Sequence, residues 1–118
     1  MELKLNIYED RFCRKVKRPL TAQEFELSTA ICEDVLNIVK IDLWEGGLTA
    51  LSTESQLEIV VGIVKDALPY FKDFMAELFE VTPEELRNTK IKEIALVVIQ
   101  IVRYSVKELK SSFGKGKN

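Results

Sequence analysis

Residues Ile94 to Val102 read Ile-Ala-Leu-Val-Val-Ile-Gln-Ile-Val, apolar at every position but Gln100. Charged residues flank the run: Lys90, Lys92 and Glu93 before it, Arg103, Lys107, Glu108 and Lys110 after it. The flanks have helical character, and a helix on a protein surface shows one apolar stripe about 100° wide. This helix is apolar on all sides for about two and a half turns. It must be buried all round or meet a partner. A chain of 118 residues makes a single domain, and one of that size buries roughly two-thirds of the surface it exposes when unfolded. That leaves little room to wrap a helix completely. The run therefore points to an interface, with one side in the core and the other against a second chain.

Several function classes fall away on composition. The run is about half the length of the roughly 20 residues a membrane span needs. The N-terminal Met-Glu-Leu-Lys-Leu-Asn alternates and has no apolar signal core, so neither membrane insertion nor secretion is expected. Net charge is −2 and the isoelectric point about 5.3, so no overall field favours nucleic acid. The chain has no histidine, which removes the commonest general base and the commonest metal ligand. Cys13 and Cys32 have no ligand spacing around them. Both read as free thiols in a reducing cytoplasm, with Cys32 in the core. No catalytic residue, cofactor site or metal site is expected.

Residues 2–8 alternate, with Leu3, Leu5 and Ile7 on one side, as a half-buried strand does. Glu9-Asp10 reads as a turn, and residues 11–18 as a returning strand that carries Phe12, Cys13 and Val16. Pro19 closes this hairpin. Thr21 with Glu24 has the spacing of a capping box and opens a helix over 22–41, whose stripe includes Phe25, Ile31, Cys32, Val35, Leu36, Ile38 and Val39. Leu43, Trp44 and Gly46-Gly47 mark its exit. Thr53 with Gln56 reads as a second capping box, before a helix that carries Leu57, Val60, Val61, Val64 and Leu68. Pro69 ends that helix or opens the next, over 70–80. Thr82-Pro83-Glu84-Glu85 is the clearest helix start in the chain and heads a short helix over 83–88. A last helix over 90–112 follows. The whole reads as a mainly α domain: a bundle of four to five helices over 21–112, with a small β-hairpin over 1–18 and a flexible tail over 113–118.

Glu84 and Glu85 lie in a helix's first turn, where the macrodipole already accounts for them. Gly46-Gly47 lacks a phosphate-loop frame. Arg11, Arg14, Lys15, Lys17 and Arg18 form the one distinct charged cluster. Its plain reading is a solvated edge strand whose charges block aggregation. Its functional reading is a patch for an acidic partner, or a small regulatory module that binds nucleic acid. Only Phe12 interleaves with the cluster, a poor stacking platform. Phe71, Phe74, Met75 and Phe79 have helical spacing and read first as core, although Met and aromatic side chains also build adaptable grooves. With Leu96, Val98, Ile99, Ile101 and Val102 they make up the expected surface for self-association or an apolar client.

Val81 to Ile94 reads Val-Thr-Pro-Glu-Glu-Leu-Arg-Asn-Thr-Lys-Ile-Lys-Glu-Ile and leads into Ile101-Val102-Arg103-Tyr104-Ser105. This stretch resembles the tail assembly chaperones of long-tailed, siphovirus-type phages of Gram-positive bacteria. The string Glu84-Glu85-Leu86-Arg87-Asn88-Thr89-Lys90 carries most of the likeness. Ile7-Tyr8-Glu9-Asp10 followed by basic residues and then Thr21 fits the same pattern. The resemblance implies a protein that is not an enzyme. It implies binding to the long, apolar, helical tape measure protein, which is kept soluble in the host cytoplasm until the tail tube assembles, and absence from the mature virion. It also implies a homo-oligomer and, in part of the copies, a longer form made by ribosomal frameshifting. Gly116-Lys117-Asn118 can be encoded by codons containing the slippery heptamer A-AAA-AAC.

Overall fold

The computed structural model describes residues 2–23, 25–39 and 53–116. The Leu43-Trp44 exit, Gly46-Gly47, the Thr53 cap and the Lys117-Asn118 end lie outside the described residues and side chains. The chain is mainly helical, with an N-terminal two-stranded antiparallel hairpin. Among the described residues it has four α-helices and one 3-10 helix.

The alternation of residues 2–8 yields β1, Leu3–Tyr8, with Leu3, Leu5 and Ile7 buried. Its partner β2 is Val16–Ala22, which starts later than the strand expected over 11–18 and carries the hairpin past residue 18. Leu3 pairs with Ala22, Leu5 with Leu20 and Ile7 with Arg18; a bulge after Ile7 then brings Tyr8 opposite Val16. Phe12 and Cys13 sit in the connecting loop instead of the strand. Pro19 does not close the unit but stands inside β2 opposite Asn6. A proline is tolerated there because β2 is an edge strand, and its missing N–H can face away from the ladder.

Thr21 does not cap a helix: it is a strand residue paired with Lys4. The first helix, α1, is Thr29–Val39. Its cap is Ser28, whose Oγ accepts the Ile31 N–H at 3.2 Å. The apolar Leu27 just before that cap fits the spacing of a hydrophobic staple. Helix α2 is Thr53–Asp66 and α3 is Leu68–Leu78, with Pro69 in the first turn of α3. The 3-10 helix Pro83–Asn88 begins at Thr82, whose side chain accepts the Glu85 N–H at 3.3 Å. The last helix, α4, is Ile91–Gly116, so its backbone stays helical beyond Ser111, through residues expected to fray.

So short a chain covers more of the helix than expected, though not all of it: a stripe of Lys92, Leu96, Gln100, Arg103 and Lys107 stays exposed. Three different elements pack on α4: helices α1 and α2 and strand β1. Each needs to give only one apolar face. Val35 and Val39 come from α1, Val60 and Val64 from α2, and Leu3 and Leu5 from β1, all buried. Within the run only Leu96 and Gln100 are exposed. Burying one aliphatic side chain is worth about 1.5–3 kcal/mol, so the run is the main contributor to this core. Ser105, one helical turn further on, is buried with no partner for its Oγ among the described residues.

Val98 is 1% exposed and Leu96 43%. Val98→Asp should therefore lose at least ~3 kcal/mol, because it buries an unpaired charge, whereas Leu96→Asp should cost less than ~1 kcal/mol. Urea unfolding of the two variants checks this. A Val98→Asp protein as stable as the wild type would contradict the wrapped-helix core.

Candidate interaction surfaces

Among the described residues no group of three His, Cys, Asp or Glu side chains is placed to hold a metal ion. Nor, among these residues, is any helix long and apolar enough to cross a membrane. The surface features that stand out are the tip of the hairpin, a mixed-charge cleft beneath it, and an apolar groove on α3.

The tip is built by Asp10. Its Oδ1 accepts the backbone N–H groups of Phe12 at 3.0 Å and Arg14 at 3.5 Å, and its Oδ2 meets the Arg14 guanidinium at 2.9–3.0 Å. The Cys13 N–H closes the turn on the Asp10 carbonyl, and the Glu9 N–H donates to the Lys15 carbonyl across the loop. Cys13 takes a left-handed backbone, φ 55°. Phe12 is left 66% exposed. The guanidinium carbons of Arg11 and Arg14 lie over its ring, 5.3 and 5.2 Å from the centroid. Each such contact contributes about 0.5–1 kcal/mol at an exposed site.

The five cations expected to form one patch are not equivalent. Arg11 and Arg14 belong to the tip. Arg18 bridges to Glu85 at 2.9 Å. Lys17 lines the cleft between the hairpin and the 3-10 helix, about 340 Å³, beside Glu84, Glu85 and Arg87. Lys15 is exposed on the loop. The cluster is thus interleaved with carboxylates rather than bare.

The hairpin is tied to the start of α4 by a polar knot. The Tyr8 hydroxyl donates to Glu93 Oε2, and Asn6 Nδ2 donates to Glu93 Oε1 at 2.9 Å. Lys90 Nζ lies 4.9 Å from the Tyr8 ring centroid. Donation to the Glu93 carboxylate, with burial, raises the Tyr8 phenol above its ordinary value.

The groove runs between α3 and the segment that leads into α1. Phe25, Leu27, Ile31, Phe74 and Leu78 line it, with Glu26, Glu77 and Glu80 at its rim; its volume is about 270 Å³. Its lower wall follows from how α3 ends. The Val81 N–H bonds the Ala76 carbonyl at 2.9 Å and the Glu80 N–H the Glu77 carbonyl at 3.3 Å, the paired bonds of a Schellman ending. Glu80 takes the left-handed position, φ 57°, which favours glycine.

Of the nine apolar residues assigned to client or self-association, eight lie in the core: Phe71, Phe74, Met75, Phe79, Val98, Ile99, Ile101 and Val102. Only Leu96 is at the surface, and Phe74 also reaches the groove. Periodicity marked these residues as apolar and could not tell a core that closes around them from a face left for a partner. Helical periodicity assigns Phe25 and Ile31 to a stripe rather than a groove, and it does not single out Leu27. Leu27-Ser28, an apolar residue before a good N-cap, was the signal that the helix starts later. Comparison with known proteins finds no family model, no curated protein and no solved structure that matches the chain.

A phenol whose value is raised on folding adds stability that is complete below its unfolded value, near 10, and lost as pH rises through the folded one. The melting temperature should therefore hold between about pH 7 and 9 and fall above about pH 10. Tyr8→Phe should flatten part of that fall. Tyr70, raised by burial and by Asp34 and Glu77, should keep the remainder. An unchanged alkaline slope in Tyr8→Phe would count against the Tyr8–Glu93 knot. Separately, Glu80→Gly should stabilise the protein by about 0.5–1 kcal/mol by relieving the left-handed residue, measurable by thermal or urea unfolding.

Proposed function

We propose that this protein is a tail assembly chaperone that keeps an apolar, helical tape measure protein soluble in the host cytoplasm before the tail tube forms, and that it does not enter the virion. Two things support the reading. One is the resemblance carried by Val81–Ser105. The other, the observation that carries it furthest on the structure, is the groove of Phe25, Leu27, Ile31, Phe74 and Leu78. A chaperone needs apolar surface of broad fit, and a helix laid into a groove is recognised by the apolar side chains it buries. The client site therefore moves from the Ile94–Val102 run, which the core consumes, to this groove. Its acidic rim selects an apolar anchor flanked by Lys or Arg.

One groove binds weakly. Burial gives about 25 cal/mol per Å², so covering ~100 Å² yields only about 2.5 kcal/mol before the costs of association. A long client needs several copies, which act together through avidity. This favours a homo-oligomer, with or without a frameshifted longer form. The rival reading, nucleic-acid binding through Arg11–Arg18, would want unpaired cations. Arg14 and Arg18 each face a carboxylate instead.

Co-expression with the tape measure protein tests the proposal. The wild-type chain should keep the client in the soluble fraction. Leu27→Asp, which also gives up a contact with the core, and the exposed-rim variant Glu26→Lys with Glu77→Lys should both lose that effect, and the second should keep the circular dichroism and melting temperature of the wild type. A client that precipitates beside the wild type, or stays soluble beside either variant, would refute the groove reading.

A further inference from the structure

The tip of the hairpin and the groove on α3 are complementary in shape and in charge. The tip offers one large apolar ring, Phe12, with the guanidinium groups of Arg11 and Arg14 against it. The groove offers an apolar floor, with Glu26, Glu77 and Glu80 around it. Phe12 is exposed in its own chain, and no residue from 9 to 15 lines that groove. The two residues with left-handed backbone other than glycine, among the described residues, are Cys13 in the tip and Glu80 on the rim. At Glu80 this conformation belongs to the helix ending and costs stability with a side chain in place. A glycine there would relieve that cost, but would remove a rim carboxylate.

We propose that the hairpin tip of one copy docks in the α3 groove of a second copy, with Phe12 on the apolar floor and Arg11 against the rim acids. Tip and groove are different patches, so the contact is heterologous: copies add head to tail, into rings or open chains. The proposal shares the groove with the client reading and rests on it only in treating the groove as a binding surface; shape and charge supply the rest. It also makes a docked neighbour and a client competitors for one site, so this contact describes the client-free protein and is displaced where client binds; it is not the assembly that would give avidity on the client.

Sedimentation velocity over a wide range of concentration tests this. The wild type should associate, and less so at high salt. A tip variant, Arg11→Glu with Phe12→Ala, and a groove variant, Glu26→Lys with Glu77→Lys, alter exposed residues. Each should fold and show self-association weakened about tenfold or more. Mixing the two should restore a 1:1 complex, because the tip variant keeps its groove and the groove variant keeps its tip. A wild type that stays monomeric throughout, variants that associate as the wild type does, or a mixture that fails to combine would each overturn the proposal. A monomeric wild type that still solubilises the client removes this contact and leaves the client reading; association without client capture does the reverse.

Discussion

Everything in this chain is arranged around one helix that no single neighbour can cover. The apolar run of α4 presents aliphatic side chains over most of its circumference, with only Leu96 and Gln100 at the surface, and exposing the buried faces would cost several kcal/mol. The answer is to use neighbours of different kinds. Helices α1 and α2 supply ridges of valine, and β1 supplies Leu3, Leu5 and Ile7 from one face of its pleat. A two-stranded hairpin is marginal by itself, so its stability comes from this helix as much as the helix's cover comes from the hairpin. The dependence is mutual, and it fixes where the N-terminal strands must sit.

What could be read from the residues alone was local chemistry. The Thr82 cap, the proline after it, Pro69 in a first turn and the alternation of β1 each depend on neighbours close in sequence, and the structure contains them. Thr21 shows the limit. Its spacing to Glu24 is that of a capping box, yet Leu20 and Ala22 also alternate inward, and pairing with β1 decides between the two. The Ile94–Val102 run shows a different limit. An all-apolar surface says that cover is needed without saying whose. The groove was illegible for a third reason: Phe25 and Leu27 come from a segment outside any helix or strand, and only the fold carries them to α3.

The hairpin does more than cover the core, because both of its strands are tied down near the turn. Glu93, in the first turn of α4, takes hydrogen bonds from Asn6 and Tyr8, and Glu85, in the 3-10 helix, pairs with Arg18. A carboxylate at a helix N-terminus is well placed electrostatically, so Glu93 serves the helix and the hairpin at once. Exposed ion pairs such as Arg18–Glu85 contribute little energy, but they restrict the direction in which the strands leave the core.

That restriction bears on the tip. Phe12 cannot be explained as core, and an exposed aromatic ring on a mobile loop would lose much of any binding energy to ordering. Here the ordering is already done. Asp10 fixes the turn through two backbone N–H groups, Arg14 is held by the same carboxylate, and both arginines rest over the ring. Preorganisation of this sort strengthens association by lowering its entropic cost rather than by adding contacts. A loop whose only task was to join two strands could do so with a shorter turn and no aromatic ring. The hydrogen bonds spent on presenting Phe12 are the physical reason to read the tip as a surface made to be bound.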